Sequence, residues 1–461
     1  MKQRTNVVLL AVLASASAGA QDISVYGTTM AQIYKQETPG FDKTTYTTGT
    51  QFLGIDATKL GTDALSMHLF GWGMVDFKDA SRAEGGKSGG DLSYGYLDYR
   101  FAQANAQIKA GRFAINQGSG IEQVDGISGR ADLRGGFTIS AFAGKPVLYR
   151  SLDDQARREY ELQRDFIWGT RLGWRPSRMA EFGVSYLQDG SRSFTNFPNR
   201  PASDYTRRQV TGDVRITPAA GLDLSGRTVL DVADHYKDAG KPEPSKVAEH
   251  DYTLQYRFTP MVAVSTSYTE RNFQAYFLGS NMPNLFNQVD KDKHRGTGAN
   301  LILGSADALS VIADYRRIER ESYGTSNRAG ADLRYNFGER KFQAGLGYHR
   351  ISGPDKQVVG VKIPSFGLSY KEARGWVMYE GAKLSASLDG IMQKFDDKNN
   401  PSLNGQQTLY EAVASLGVKA SEHLKFSGDL SIGQDPMAKQ EVRGILRSEF
   451  RFGFAGKGSS K

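Results

Sequence analysis

The sequence predicts an all-β protein, a transmembrane antiparallel β-barrel of about 20 strands, 18–22 once counting error is allowed for. Three observations predict it. Apolar and polar residues alternate one by one through long stretches, reverse-turn residues separate those stretches, and no apolar run after the N-terminus is long enough for a membrane-crossing helix. Mean hydropathy is −0.47 with 39 % hydrophobic residues, which a barrel tolerates because only every second residue meets lipid.

Taken from the N-terminus, residues 1–20 read as a secretory signal. Lys2 and Arg4 form a positive start, Val7 to Leu13 a short apolar core, and Ala18-Gly19-Ala20 a small-residue cleavage site. The apolar core is too short to span a bilayer. Residues 21–461 are then expected to form a single barrel domain, its formal charge lowered from +8 to +6 by loss of Lys2 and Arg4.

Strands are expected at 23–35, 49–59, 65–77, 91–101, 106–115, 161–175, 181–190, 205–217, 222–234 and 248–258. The series continues at 262–273, 295–304, 309–321, 327–337, 342–352, 363–379, 384–395, 408–420, 424–433 and 441–452. Their connections alternate in size. Short turns at 61–64, 102–105, 176–180, 218–221, 259–261, 305–308, 338–341, 381–383 and 421–423 trade with longer polar links such as 79–90, 192–203, 236–246 and 276–292. Short periplasmic turns and long extracellular loops are how outer-membrane barrels are built.

Within strands the faces separate cleanly. Leu222 and Leu224 alternate with Asp223 and Ser225, Leu254 and Tyr256 with Thr253 and Gln255, Leu333 and Tyr335 with Asp332 and Arg334, Leu446 with Arg447. A strand sends successive side chains to opposite faces, so a soluble sandwich would give the same pattern with its apolar face in a core. Strand length decides between them: these runs reach membrane length, about 9–11 residues, against about 5–6 in ordinary globular sheets. The 22 Tyr and 24 Phe, many near strand ends, suit interfacial girdles. The chain has no cysteine, so thiolate zinc, iron–sulfur clusters and haem attached through Cys-x-x-Cys-His are excluded.

Over the whole mature chain this architecture resembles the Gram-negative outer-membrane porins, although no diagnostic motif carries the likeness. The strand at 441–452 is similar to the C-terminal assembly signal of such proteins, but 453–461 follow its final aromatic, Phe452. The resemblance implies a cell outer-membrane, multi-pass protein forming a channel for passive diffusion of ions and small hydrophilic solutes. It implies contact with outer-membrane lipid and lipopolysaccharide. A second copy of the chain is one further partner left open. The alternative reading is a barrel sheath of a porin–cytochrome electron conduit, its haem supplied by a separate c-type cytochrome. An energy-coupled transporter is disfavoured, since siderophore receptors carry a large plug before the first strand and here the strand pattern begins at Ile23.

One stretch breaks the hairpin rhythm, an expected inner loop at about 116–160, rich in glycine and in charge of both signs. General porins narrow the pore with the loop that follows the fifth strand, and this segment is similar in place and composition. Its candidate constriction residues are Glu122, Asp125, Arg130, Asp132 and Arg134. A stretch around Phe137, Ile139, Ala141 and Ala143 fits equally a strand packed inside the barrel or one in its wall. The candidate lumen wall includes Asp213, Arg215, Asp223, Arg227, Asp231 and Arg257, which set ion preference or merely pair across strands on a hydrated wall.

Enzyme signatures are missing, and neither a cofactor nor a metal is expected. His68, His235, His250, His294, His349 and His423 are scattered without metal-ligand spacing. There is no phosphate-cradling Gly-x-x-x-x-Gly-Lys loop. Charges are interspersed rather than blocked, so no nucleic-acid stripe is present.

Overall fold

The computed structural model describes residues 22–37, 44–78, 88–118, 120–147, 166–190, 206–232, 247–272, 293–305, 307–320, 324–353, 369–397, 403, 405–435 and 440–455. The expected signal segment 1–20, and residues 148–160 of the expected inner loop, lie outside them.

The first half of the wall is β1 Asp22–Glu37, β2 Thr44–Thr58, β3 Leu65–Asp76, β4 Ser88–Phe101, β5 Ala106–Gln117, β6 Gly120–Asp132, β7 Phe137–Pro146, β8 Phe166–Ser177, β9 Ala180–Gly190, β10 Thr206–Ala219 and β11 Leu222–Asp231. The second half is β12 Val247–Thr259, β13 Val262–Asn272, β14 Lys293–Gly304, β15 Leu309–Arg320, β16 Gly324–Phe337, β17 Phe342–Ser352, β18 Tyr370–Glu380, β19 Leu384–Phe395, β20 Thr408–Lys419, β21 Leu424–Gln434 and β22 Gln440–Ala455. Each pairs antiparallel with the next in one 22-stranded sheet, and β22 returns to β1, with Asp22 opposite Ala455 and Glu37 opposite Gln440. Closure removes the two outer edges that an open sheet would expose, leaving β4 unpaired with β5 only on the Ser88 side of Gly95.

The expected strands are present, most within a few residues of their expected bounds; the one expected at 363–379 is Tyr370–Glu380, with 363–368 outside the described residues, and β22 continues past Phe452 to Ala455. The expected inner loop is corrected. Gly120–Asp132 and Phe137–Pro146 are wall strands β6 and β7, paired with β5, with each other and with β8. Of the two readings open around 137–143, the wall strand is the one observed. β6 lacks the strand signature because Gly126, Gly129 and Asp125 interrupt its apolar alternation, in a strand that does not stay in one environment along its length.

The faces follow the register. Leu446 is 69 % exposed, Leu346 65 % and Val184 58 %, all on the outer face and all in an apolar band that suits lipid. Toward the short-turn rim the outer face carries aromatic neighbours, Phe137 against Trp174 and Trp174 against Phe182 at 5.9 Å, and Tyr335 against Phe337 at 5.4 Å. Such rings belong at the membrane–water boundary. The inner face is polar, and its largest buried apolar cluster lies inside the barrel, on β5 to β9.

Candidate functional site

The site begins where β5 leaves the wall. β4 pairs with β5 only from Phe101 opposite Ala106 to Gly95 opposite Arg112, whereas β4 itself runs on to Ser88 along β3. β5 and β6 stay paired to Gln117 opposite Gly120. The upper part of this hairpin is therefore free of β4. A row of glycines marks the bend: Gly111 faces Gly126, which faces Gly144. Gly111 has φ +128°, a conformation that L side chains rarely adopt. A Cβ on Gly126 would lie 2.8 Å from the Gly144 Cα and run into the Ala143 carbonyl, so the strands approach too closely for any other residue.

Beyond the bend the hairpin lies against the inner wall. Phe113, Ile115 and Val124 pack with Phe142 of β7, Ile167 of β8 and Leu187 of β9, all at most 5 % exposed. Burial of side chains of this kind stabilises by about 1.5–3 kcal/mol each. At the tip, Gly118 sits so close to β9 and β10 that a Cβ there would overlap Ser185 Oγ and reach within 3.3 Å of Thr211 Cβ. Arg227 of β11 donates from Nη1 to the Gly118 carbonyl at 3.3 Å, and its Nη2 donates to Glu249 at 2.6 Å.

The seam left beside β4 is closed by Arg112. Its Nε and Nη2 donate to Asp125 at 2.7 and 2.9 Å, and Nη1 to the Leu92 carbonyl at 2.8 Å and to Asp91 at 3.3 Å. The Gln123 side-chain amide donates to the Ser93 carbonyl beside it. These bonds span the β-bulge between β3 and β4.

The candidate constriction residues separate. Glu122 lies on the hairpin opposite Ile115, and Asp125 takes the outward register at the seam. Arg130 and Asp132 face inward but at the short-turn end of β6, paired to each other at 3.0 Å, with Thr138 donating to Asp132 at 2.9 Å. Arg134 is in the short-turn 3-10 segment between β6 and β7. Only Glu122 is part of the folded-in hairpin, and Asp125 stands at its base; the other three are corrected to positions at the opposite rim, because β6 runs the height of the wall.

The candidate lumen-wall residues all take the inward register. Asp213 pairs with Arg171 at 2.6 Å, Arg215 with Asp223 at 3.4 Å, and Arg227 with Glu249 at 2.6 Å. Asp231 faces the buried Gln209, and Arg257 faces Ala263 near the short-turn rim. At the long-connection rim, a hydrogen bond from Arg350 holds the Asp396 carboxyl below the usual carboxylate range.

Two groupings were hidden in the sequence because their members come from different strands. Asp314 of β15, Asp332 of β16 and His349 of β17 point inward together, their donor atoms within 4.8 Å of one another. His349 Nε2 lies 2.7 Å from Asp314, while Arg328 donates to the other Asp314 oxygen at 3.0 Å. The cluster thus supplies its own cation and is a hydrogen-bonded wall network. The second grouping is aromatic, on β1 to β4. Tyr26, Phe70 and Tyr94 align through Gly54, and Phe52 joins Phe70. Inward-facing aromatic residues in alternation with Ser, Thr and Gly were a signal open to sequence reading.

No family model matches the chain, and no curated protein matches it. Among solved structures it is similar to a ferric enterobactin receptor of Pseudomonas aeruginosa, with a TM-score of 0.55 and 10 % identity, over 94 % of this chain and 81 % of that one. OccAB4 of Acinetobacter baumannii gives 0.45 and 11 % identity over 94 % and 99 %. The translocation pore of the P pilus usher PapC gives 0.45 and 10 % over 94 % and 100 %. At such identities the likeness is one of fold, a closed antiparallel β-barrel.

Proposed function

We propose that the protein is an outer-membrane channel for passive diffusion of ions and small hydrophilic solutes, narrowed by the β5–β6 hairpin. The observation that carries this reading is the hairpin itself. A 22-strand wall is wider than those filled by their own side chains, and here one hairpin bends inward and is fixed by its apolar face to β7–β9 and by its tip to Arg227. The inner wall around it carries closely paired opposite charges, which hydrate a lumen and favour neither sign strongly. Glu122, Arg227 and Glu249 stand nearest the tip and are the proposed constriction residues, with the remaining wall pairs setting a weak preference.

The test is conductance in planar bilayers with the purified, refolded chain. Ohmic openings that enlarge when the hairpin tip is shortened support the reading. A folded protein that never opens overturns it, and a stoichiometric c-type haem protein retained on purification from native membranes would move the assignment to a sheath.

A further inference from the structure

We infer that the inner wall of β1–β4 is a binding shelf for a pyranose-containing oligosaccharide, a deepening that rests on the channel reading. The shelf is made of rings with near-parallel planes, contributed by neighbouring strands. Tyr26 and Phe70 have ring centroids 6.3 Å apart at 19°, Phe52 and Phe70 6.3 Å at 14°, and Phe70 and Tyr94 5.5 Å at 19°. The row is continuous in register: Tyr26 faces Gly54, Gly54 faces Phe70, and Phe70 faces Tyr94. Gly54 lets Tyr26 lie flat, because a Cβ there would strike the Tyr26 ring. The Tyr26 and Tyr94 hydroxyls then meet at 2.8 Å, which locks the row into one surface.

A water-filled lumen does not by itself call for such a surface. Elsewhere the inner wall carries ion pairs and the buried apolar seat of the hairpin, and large aromatic residues kept partly exposed in one patch mark a binding surface. The neighbouring inward positions of β1 and β2 decide the class of ligand. Thr28, Gln32, Thr48 and Thr50 are neutral hydroxyls and an amide, and the nearby acid, Asp56, is held by His68 at 2.7 Å. On the far side, Arg451, Glu449 and Arg447 of β22 stand opposite Tyr26, Thr28 and Met30, alternating in sign. A flat apolar surface bordered by neutral and mixed-sign hydrogen-bonding groups matches a pyranose, which has apolar C–H faces and hydroxyl edges. A carboxylate would need a cluster of one sign. The row of rings spans more than one sugar ring, hence an oligosaccharide. At its far end Tyr96 meets Phe113 at 6.5 Å, so the shelf runs to the base of the folded-in hairpin.

The test uses the refolded full-length barrel with maltotriose as probe, and sorbitol and benzoate as comparators. Calorimetric binding in detergent reads the shelf independently of conduction, and current block in bilayers reads it in the channel. Maltotriose is expected to bind and block, and sorbitol to do neither. Phe52→Ala should weaken maltotriose about three- to tenfold, the worth of one aromatic contact, while Phe52→Trp keeps it and Arg171→Ala, in the charged sector, leaves it unchanged. Heat-modifiable gel mobility confirms folding of each variant, and Tyr26→Ala repeats the test where Phe52→Ala fails to fold. Binding without conductance would sink the channel reading and leave the shelf. Conductance with no maltotriose binding, with equal binding of sorbitol, with tighter shelf-dependent binding of benzoate, or with binding indifferent to both ring deletions overturns the shelf and leaves the channel.

Discussion

Arg227 Nη1 lies 3.3 Å from the carbonyl oxygen of Gly118, although 109 residues separate the two in sequence. This bond joins the tip of the β5–β6 hairpin to β11, well round the inner wall. With the apolar contacts of Phe113, Ile115 and Val124 it makes the hairpin a fixed part of the lumen.

That docking is open to covalent test, since the chain has no cysteine of its own. A Cβ on residue 118 would stand 2.8 Å from Ser185 Cβ, so a recoil of the tip by about 1 Å gives the separation a disulfide needs. The double variant Gly118→Cys, Ser185→Cys should therefore cross-link on mild oxidation, seen as a faster-migrating, reductant-sensitive band. Its conductance should match the parent, because the docked hairpin is the resting arrangement. Failure to cross-link in folded protein would place the tip elsewhere.

The bend demands glycine. Gly126→Val should destabilise the barrel by about 1–3 kcal/mol, the usual range for overpacking, because its side chain meets β7 backbone. Gly212→Ala, where nothing lies within 4 Å of the added carbon, should unfold at the parental urea concentration. Equal midpoints for the two would refute the close approach of β6 to β7.

The two faces should answer differently to charge. Arg placed at Leu446 or Leu346, both strongly exposed on the outer face, should cost about 2–4 kcal/mol near the bilayer midplane. Arg at Ser267, on the inward register of β13, should be tolerated. Refolding yield into lipid vesicles distinguishes them, and similar losses at both would mean that the faces are inverted.

Ion preference should respond near the hairpin tip rather than at the short-turn rim. Arg227→Gln removes one positive charge beside Glu249, which also pairs with Arg271 at 3.3 Å, so the reversal potential in asymmetric salt should move toward cations. Arg130→Gln should move it less, since Arg130 sits at the opposite end of β6 beside Asp132 and charges beyond about 8 Å are screened at 0.15 M salt. A larger shift from Arg130 would locate the narrowest ring at that rim.

The hydrogen-bonded cluster on β15–β17 should be structural. His349→Ala removes a buried partner of Asp314 and should lower stability by about 1–3 kcal/mol, read from urea unfolding. An unchanged midpoint would mean that Arg328 alone satisfies Asp314.

The lipid-facing barrel was legible in the sequence because strict alternation assigns each residue to a face whatever its neighbours are, and the alternating runs reach membrane length. Leu224 and Leu254 outward, Asp223 and Thr253 inward, could be read without knowing that these pairs stand opposite one another. The same alternation is silent on which strands a side chain meets and on whether a strand stays in the wall. Glycine at 111, 126 and 144 fits a regular strand or a fold line equally well, so β6 reads as loop in the sequence. Only the register between strands sets the three glycines side by side, brings Asp314, Asp332 and His349 together, and aligns Tyr26, Phe70 and Tyr94 into a row. Those meetings depend on pairing between distant segments, a property of the closed sheet that no local pattern records.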